Sequence, residues 1–96
     1  MPLTREDVRA SVERAGDDHW QALIAHHEEA YPASPPTPGQ LCRFEAERLD
    51  AMGLGDVELV ETRVTRVGAE VELTHRLRER ATGAERWTEP FRNYAA

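Results

Sequence analysis

The stretch from Val57 to Tyr94 constrains the fold most, because its turn residues decide which side chains face each other. Gly68 and Ala69 separate two β-rich runs, and a two-residue loop with glycine first is typical of a type II′ hairpin turn. Pairing outward from this turn sets Thr62 opposite His75 and makes one sheet face mostly apolar. A one-residue slip would exchange the two faces, so the turn also determines what the sheet buries.

The same register predicts the other pairs of the first hairpin. They are Arg66 with Val71, Val64 with Leu73 and Val60 with Leu77. Val57 and Leu59 fall out of phase with Val60, which predicts a bulge or a strand start near Leu59.

A second turn is predicted at Ala81-Thr82-Gly83, as a three-residue loop with Gly83 in the left-handed conformation. It places three residues of a third strand on the apolar face, with Trp87 opposite Leu77, Glu89 opposite His75 and Phe91 opposite Leu73. Pro90 cannot donate a ladder hydrogen bond, so this strand is expected at a sheet edge.

Three helices are predicted ahead of the sheet, at residues 1–16, 17–31 and 38–53, with a proline-rich loop at 32–37 and the β-meander at 57–94. Thr4 and Thr37 are suitable N-caps, Gln40 completes a capping box with Thr37, and Gly53 is a stop signal. We therefore predict a single α+β domain over residues 1–96. Its three helices pack on one face of a three-stranded antiparallel β-meander.

Charged side chains interrupt the predicted apolar surfaces. Glu45 and Arg48 lie within the apolar arc of the third helix, and His27 lies within that of the second. A carboxylate beside an imidazole fixes its tautomer and raises its basicity. We predict His75 and Glu89 as candidate catalytic residues. The predicted ligand-binding residues are Glu45, Arg48, Thr62 and His27. The alternative is a buried polar network that specifies register.

Other polar residues favour no further chemistry. His19, His26 and Glu29 share one side of the second helix, but we expect a solvated flank there and predict no metal site and no cofactor. The single Cys42 excludes an internal disulfide and is expected to be a small buried residue. Phe44, Trp20, Trp87 and Phe91 are expected in the core.

The chain's charge and length narrow the classes of partner. A net charge of −6 argues against nucleic-acid binding. No apolar run is long enough to span a membrane, which predicts no membrane association and a cytoplasmic protein. A domain of 96 residues buries a modest share of its surface, so we expect a homodimer.

Helices followed by a twisted antiparallel meander resemble the end of nuclear-transport-factor-2-like (cystatin-like) domains, and also hotdog folds. The resemblance implies helices in the concavity of a curved sheet around a pocket, and no function is transferred with it.

Two functions are compatible with these features. The first is a small-molecule-binding domain with a polar pocket between the third helix and the sheet, holding a small polar or aromatic ligand. Proton transfer by His75 and Glu89 would extend it, so catalysis is left open. The alternative is a non-catalytic acidic adaptor or inhibitor that binds a protein through the sheet edge and an acidic cluster, Glu58, Glu61, Glu70 and Glu72.

Overall fold

The computed structural model describes residues 2–94, and it confirms the α+β class and the element order. The helices are α1 (Arg5–Ala15), α2 (Asp17–Ala30) and α3 (Pro38–Ala51). The strands are β1 (Val57–Val67), β2 (Glu70–Glu79), β3 (Glu85–Trp87) and β4 (Phe91–Tyr94). β2 pairs with β1 along one edge and with both β3 and β4 along the other, all antiparallel. No helix within residues 2–94 is long and apolar enough to cross a membrane.

The helix starts follow the capping signals. Thr4 accepts a hydrogen bond from the Asp7 amide while the Asp7 carboxylate accepts from the Thr4 amide, and Thr37 and Gln40 form the same reciprocal pair ahead of α3. α3 ends two residues before the predicted boundary, and Gly53 follows it with φ +65°.

The first hairpin has the predicted turn and inner register. Thr62 pairs with His75, Val64 with Leu73 and Arg66 with Val71. The register shifts between Leu59 and Glu61, as the predicted bulge requires. Val60 is the additional residue, so the prediction that Val60 pairs with Leu77 is wrong and Leu59 takes that place. The bulge allows both Leu59 and Thr62 to be buried on one face.

Gly68 should be the least replaceable residue of the first turn, because its φ of +64° is unfavourable for any residue with a Cβ. We expect Gly68→Ala to lower the free energy of unfolding by about 1–3 kcal/mol. An added Cβ would meet no atom within 4 Å, so the whole effect is conformational. Urea denaturation measures it, with Ala69→Ser as the control. Equal stability of the two variants would contradict the assigned turn.

The second hairpin departs from the predicted register. The Glu79 amide donates to the Ala84 carbonyl and the Gly83 amide donates to the Glu79 carbonyl, which closes a four-residue loop over residues 80–83. Arg76 therefore pairs with Trp87, and Leu77 with Arg86. The predicted pairing of Leu77 with Trp87 is wrong by one residue, because the loop holds four residues and not three.

The third strand recovers the predicted register only beyond Pro90. Phe91 pairs with Leu73, as predicted, whereas Trp87 is turned to the outer face of the sheet. The additional residue lies at Glu89-Pro90, where proline supplies no amide hydrogen and the ladder is interrupted. The single predicted strand is thus divided into β3 and β4, and only β4 directs an aromatic ring toward the helices.

The core lies between the helices and the inner face of β1 and β2. It comprises Leu3, Val8, Val12, Trp20, Leu23, Leu41, Cys42, Ala46, Leu49, Val57, Leu59, Val64, Val71, Leu73 and Leu77. α1 and α2 pack against β1, while α3 packs against α1 and reaches β2 through long side chains. The space left between α3 and β2 positions the candidate site. Burial also raises the pKa of the Cys42 thiol to about 11, so it is protonated at neutral pH.

Helical side chains hydrogen-bond to the free edge of β1. Arg14 Nη1 donates to the carbonyl oxygens of Leu59 (3.2 Å) and Val60 (2.8 Å) at the bulge. His19 Nδ1 lies 2.8 Å from the Val64 amide nitrogen and 3.0 Å from its carbonyl oxygen. Part of this edge is therefore already engaged within the chain.

Candidate functional site

A cleft of about 530 Å³ opens between α2, the proline-rich loop, α3 and the inner face of the sheet. Three of the predicted ligand-binding residues, His27, Glu45 and Arg48, line it together. The full lining is Leu23, His27, Tyr31, Ser34, Pro35, Pro36, Gln40, Leu41, Phe44, Glu45, Arg48, Leu73 and Phe91. Its walls are mostly apolar and aromatic, with a few convergent polar groups, which is the usual composition of a small-molecule site.

Glu45 and Arg48 form the polar part of the cleft. They are one helical turn apart on α3, so Arg48 Nε donates to both Glu45 carboxylate oxygens at 3.1 Å and Nη2 donates to Oε1. His75 Nε2 lies 2.8 Å from the same Oε1. Glu45 therefore joins a surface-facing cation to an imidazole that is only 1% exposed.

Behind Glu45 the hydrogen bonds continue into the core. His75 Nδ1 lies 2.7 Å from Thr62 Oγ1, which lies 2.7 Å from Ser11 Oγ, which in turn lies 2.7 Å from the Val8 carbonyl oxygen. Thr62, His75 and Ser11 are all buried. The structure thus brings together Thr62, His75, Glu45 and Arg48, but Thr62 and His75 lie beneath the cleft and not in its wall.

The carboxyl group of Glu45 is held in its ionised form. Burial raises its pKa, but hydrogen bonds from His75 and Arg48 and the charge of Arg48 outweigh burial and lower the pKa below the ordinary 4.5. Only 13% of the Glu45 side chain is exposed, so water screens these interactions little.

Glu89 does not take its predicted place. The residue facing His75 across the sheet is Thr88, whose amide donates to the His75 carbonyl (2.8 Å) and whose hydroxyl accepts from the His75 amide (3.1 Å). Glu89 itself is exposed. The predicted pairing is therefore wrong, and the carboxylate bonded to His75 comes from α3, as Glu45.

Three aromatic residues expected in the core are instead partly exposed. Phe44 is 48% exposed and Phe91 38%, and both line the cleft, whereas Trp87 lies on the outer sheet face between Arg63 and Arg76. Only Trp20 is buried as predicted. The Arg48 guanidinium lies 3.9 Å from the centre of the Phe91 ring, a cation–π contact that fixes both walls of the cleft.

His27 lines the cleft and uses one ring nitrogen for a contact within its own helix. Its Nδ1 lies 2.9 Å from the Leu23 carbonyl oxygen, which can only accept, so Nδ1 carries a hydrogen. In the neutral ring Nε2 is then a hydrogen-bond acceptor. The ring stacks on Tyr31 at a centroid distance of 6.3 Å, which places a second aromatic surface beside it.

The second histidine cluster does not form one solvated flank. His26 is buried, His19 contacts β1, and Glu29 accepts a hydrogen bond from Arg66. Within residues 2–94 no three His, Cys, Asp or Glu side chains are placed to hold a metal ion. The expectation that His26 is solvated is wrong, because His26 lies three residues after Leu23 on the buried face of α2.

Burial of His26 predicts a pH-dependent stability. Burial lowers its pKa below the ordinary 6.5, and the nearby His27 and Arg66 act in the same direction against Glu29. The unfolded chain therefore binds this proton more readily, so stability should be lost as pH falls below about 6.5. Urea denaturation at several pH values should show a smaller acid loss for His26→Met than for the wild type. Parallel curves for the two proteins would contradict this assignment.

Two groups of site residues escaped the sequence predictions. Ser11 gave a weak signal, a polar residue three positions after Val8 on the buried stripe of α1. Pro35 and Pro36 of the proline-rich loop form one wall of the cleft, a position for which the sequence offered no signal beyond the loop itself. Prolines make this loop stiff, so the loop loses little conformational entropy when a ligand binds against it.

No protein-family model, curated protein or solved structure matches the chain.

Proposed function

We propose that this protein is a small-molecule-binding α+β domain whose ligand occupies the cleft between α3, the proline-rich loop and the sheet. The observation that carries the proposal is the convergence of His27, Glu45 and Arg48 on one cleft of about 530 Å³ with aromatic walls. Such a volume is in the range of ordinary ligand pockets. The ligand is small and polar or aromatic.

The residues have separate roles in this proposal. Arg48 and His27 contact the polar part of the ligand, and Phe44 and Phe91 contact its apolar part. His75 and Thr62 orient Glu45 from below. The proton-transfer extension now depends on Glu45, because this carboxylate reaches the cleft whereas Glu89 is not bonded to His75.

Removal of one exposed aromatic ring from the cleft tests the proposal. We expect Phe44→Ala to weaken binding of aromatic fragments about tenfold, since burying a ring of this kind on a ligand contributes roughly 1–2 kcal/mol. Stability should change little because Phe44 is 48% exposed. Binding is measured by NMR titration of a fragment library, followed through the backbone amides of α3 and the proline-rich loop.

Trp87→Ala is the matched control, because Trp87 is 44% exposed on the opposite face of the sheet. It should bind the same fragments as the wild type. A library that shifts no amide around the cleft, or fragments bound equally well by the Phe44 variant, would refute the proposed function.

The adaptor alternative has less support. Each of its four glutamates lies beside an arginine: Glu58 beside Arg78, Glu61 beside Arg63 and Arg76, and Glu70 and Glu72 beside Arg92. The acidic cluster is thus largely neutralised within the chain. Homodimer formation and a cytoplasmic location stay predictions.

A further inference from the structure

The buried hydrogen-bond chain beneath the cleft has an acceptor at each end. The Val8 carbonyl at one end can only accept a hydrogen bond. The ionised carboxylate of Glu45 at the other end can also only accept. Between them lie Ser11, Thr62 and His75, which make four successive contacts of 2.7, 2.7, 2.7 and 2.8 Å. Each contact needs one hydrogen between its two heavy atoms.

Counting these hydrogens fixes their positions. Ser11 must donate to Val8, so Thr62 must donate to Ser11, and His75 Nδ1 must then donate to Thr62. The last contact requires a hydrogen on His75 Nε2 as well, because Glu45 is ionised. Arg48 Nη2 lies 3.3 Å from the same ring nitrogen, and we assign its hydrogen to Glu45 Oε1, which both nitrogens share. The fully bonded chain therefore contains the imidazolium form of His75, with a hydrogen on each ring nitrogen. A neutral ring would leave one buried contact without a hydrogen, which is unfavourable.

This assignment leaves the cleft with excess positive charge. Arg48 and His75 both donate to Glu45 Oε1, so two cations share one carboxylate. Among the described residues 2–94, no other Asp or Glu side chain lines the cleft. Within the described part of the chain, the one polar contact of Arg48 Nη1 is at 3.6 Å, to the sulfur of Met52, a weak acceptor. A ligand anion can therefore accept from this nitrogen.

The surroundings of Arg48 define the rest of the ligand. Its guanidinium lies on Phe91, and Phe44 and Pro36 provide further apolar surface within the same cleft. We infer that the cleft selects an aromatic monocarboxylate over neutral or cationic aromatic compounds of the same shape. This inference rests on the ligand-binding function proposed above. A planar apolar ring would lie along the walls while its carboxylate accepts from Arg48.

Three compounds of nearly identical shape test this charge selectivity: 2-naphthoate, 2-naphthamide and 2-naphthamidinium. Calorimetric or NMR titration of the wild-type protein at neutral pH should give the tightest binding for 2-naphthoate. The advantage over the amide should be about tenfold, as expected for a hydrogen bond to a charged group. In Arg48→Gln the advantage should disappear. In Arg5→Gln, which removes an exposed charge from α1 away from the cleft, it should persist.

The outcomes separate the two proposals. If none of the three compounds binds, the cleft is not a site for aromatic ligands, and both the proposed function and this inference fail. If the amide or the amidinium binds as tightly as the carboxylate, the proposed function stands and the inference is overturned. If Arg48→Gln does not fold, the order of the wild-type affinities for the three compounds still tests the charge selectivity.

A second measurement tests whether both ring nitrogens of His75 carry a hydrogen. The ¹⁵N chemical shifts of the His75 ring at neutral pH should place both nitrogens in the protonated range, in the wild type without any ligand. A His75 ring with one unprotonated nitrogen would remove the excess charge and overturn the inference, whatever the titrations give.

Discussion

Replacement of Glu45 by leucine is expected to lower the free energy of unfolding by about 3 kcal/mol or more at pH 7, because it leaves the buried His75 without its carboxylate. His75 is 1% exposed, and Nε2 would have no acceptor in place of Glu45 Oε1. The cost therefore combines a lost ion pair with an unsatisfied buried donor. Urea denaturation at pH 7 measures it.

Two further variants distinguish this explanation from a general effect on α3. Glu47→Leu changes an exposed glutamate of the same helix, 70% exposed and 3.9 Å from Arg43, and should alter stability little. The double variant Glu45→Leu/His75→Leu should recover part of the loss, because it removes the stranded imidazole as well. Equal effects of Glu45→Leu and Glu47→Leu would contradict the network.

The contribution of Glu45 to the free energy of unfolding should also depend on pH. Its folded pKa is lower than the ordinary 4.5, so its contribution is fully present above that pH and is lost as pH falls through the folded pKa. The stability difference between the wild type and Glu45→Leu should therefore shrink in acid. A difference that grows below pH 4.5 would show that the sign of this linkage is wrong.

Leu49→Ala should have an effect of similar size through packing alone. Leu49 follows Arg48 on α3 and is fully buried, so its truncation should lower the free energy of unfolding by about 3 kcal/mol. Met52→Ala, at a position that is 47% exposed near the end of the same helix, should cost much less. A loss below about 1 kcal/mol for Leu49→Ala would contradict the packing of α3 against α1.

The features that the sequence predicted correctly depend on neighbouring residues. Gly68-Ala69 sets the first hairpin, Thr37 and Gln40 set the start of α3, and the i, i+3 spacing sets the contact between Glu45 and Arg48. Each of these is decided within about four residues, where backbone geometry and hydrogen bonding leave few alternatives.

The features that the sequence did not predict depend on contacts between residues far apart in the chain, or on a turn for which two loop lengths fit the sequence. A three-residue and a four-residue loop both accommodate Gly83. They differ by one residue in the register of the following strand, so Trp87 and Glu89 change from one face of the sheet to the other. Glu45 and His75 are separated by 30 positions, and their contact depends on how α3 packs on α1 and α1 on the sheet. The sequence indicated α3 as a wall of the site, but not which carboxylate would reach the imidazole.

The hydrogen bonds from Arg14 and His19 to the edge of β1 affect the order of events during synthesis. Both side chains belong to helices that leave the ribosome before β1, because chains emerge from the N-terminus. When the eleven residues of β1 appear, the groups that occupy its free edge are already present. Arg14 and His19 can therefore bond the edge groups of Leu59, Val60 and Val64 before a strand of a neighbouring chain does so, and we expect this to disfavour edge-to-edge pairing.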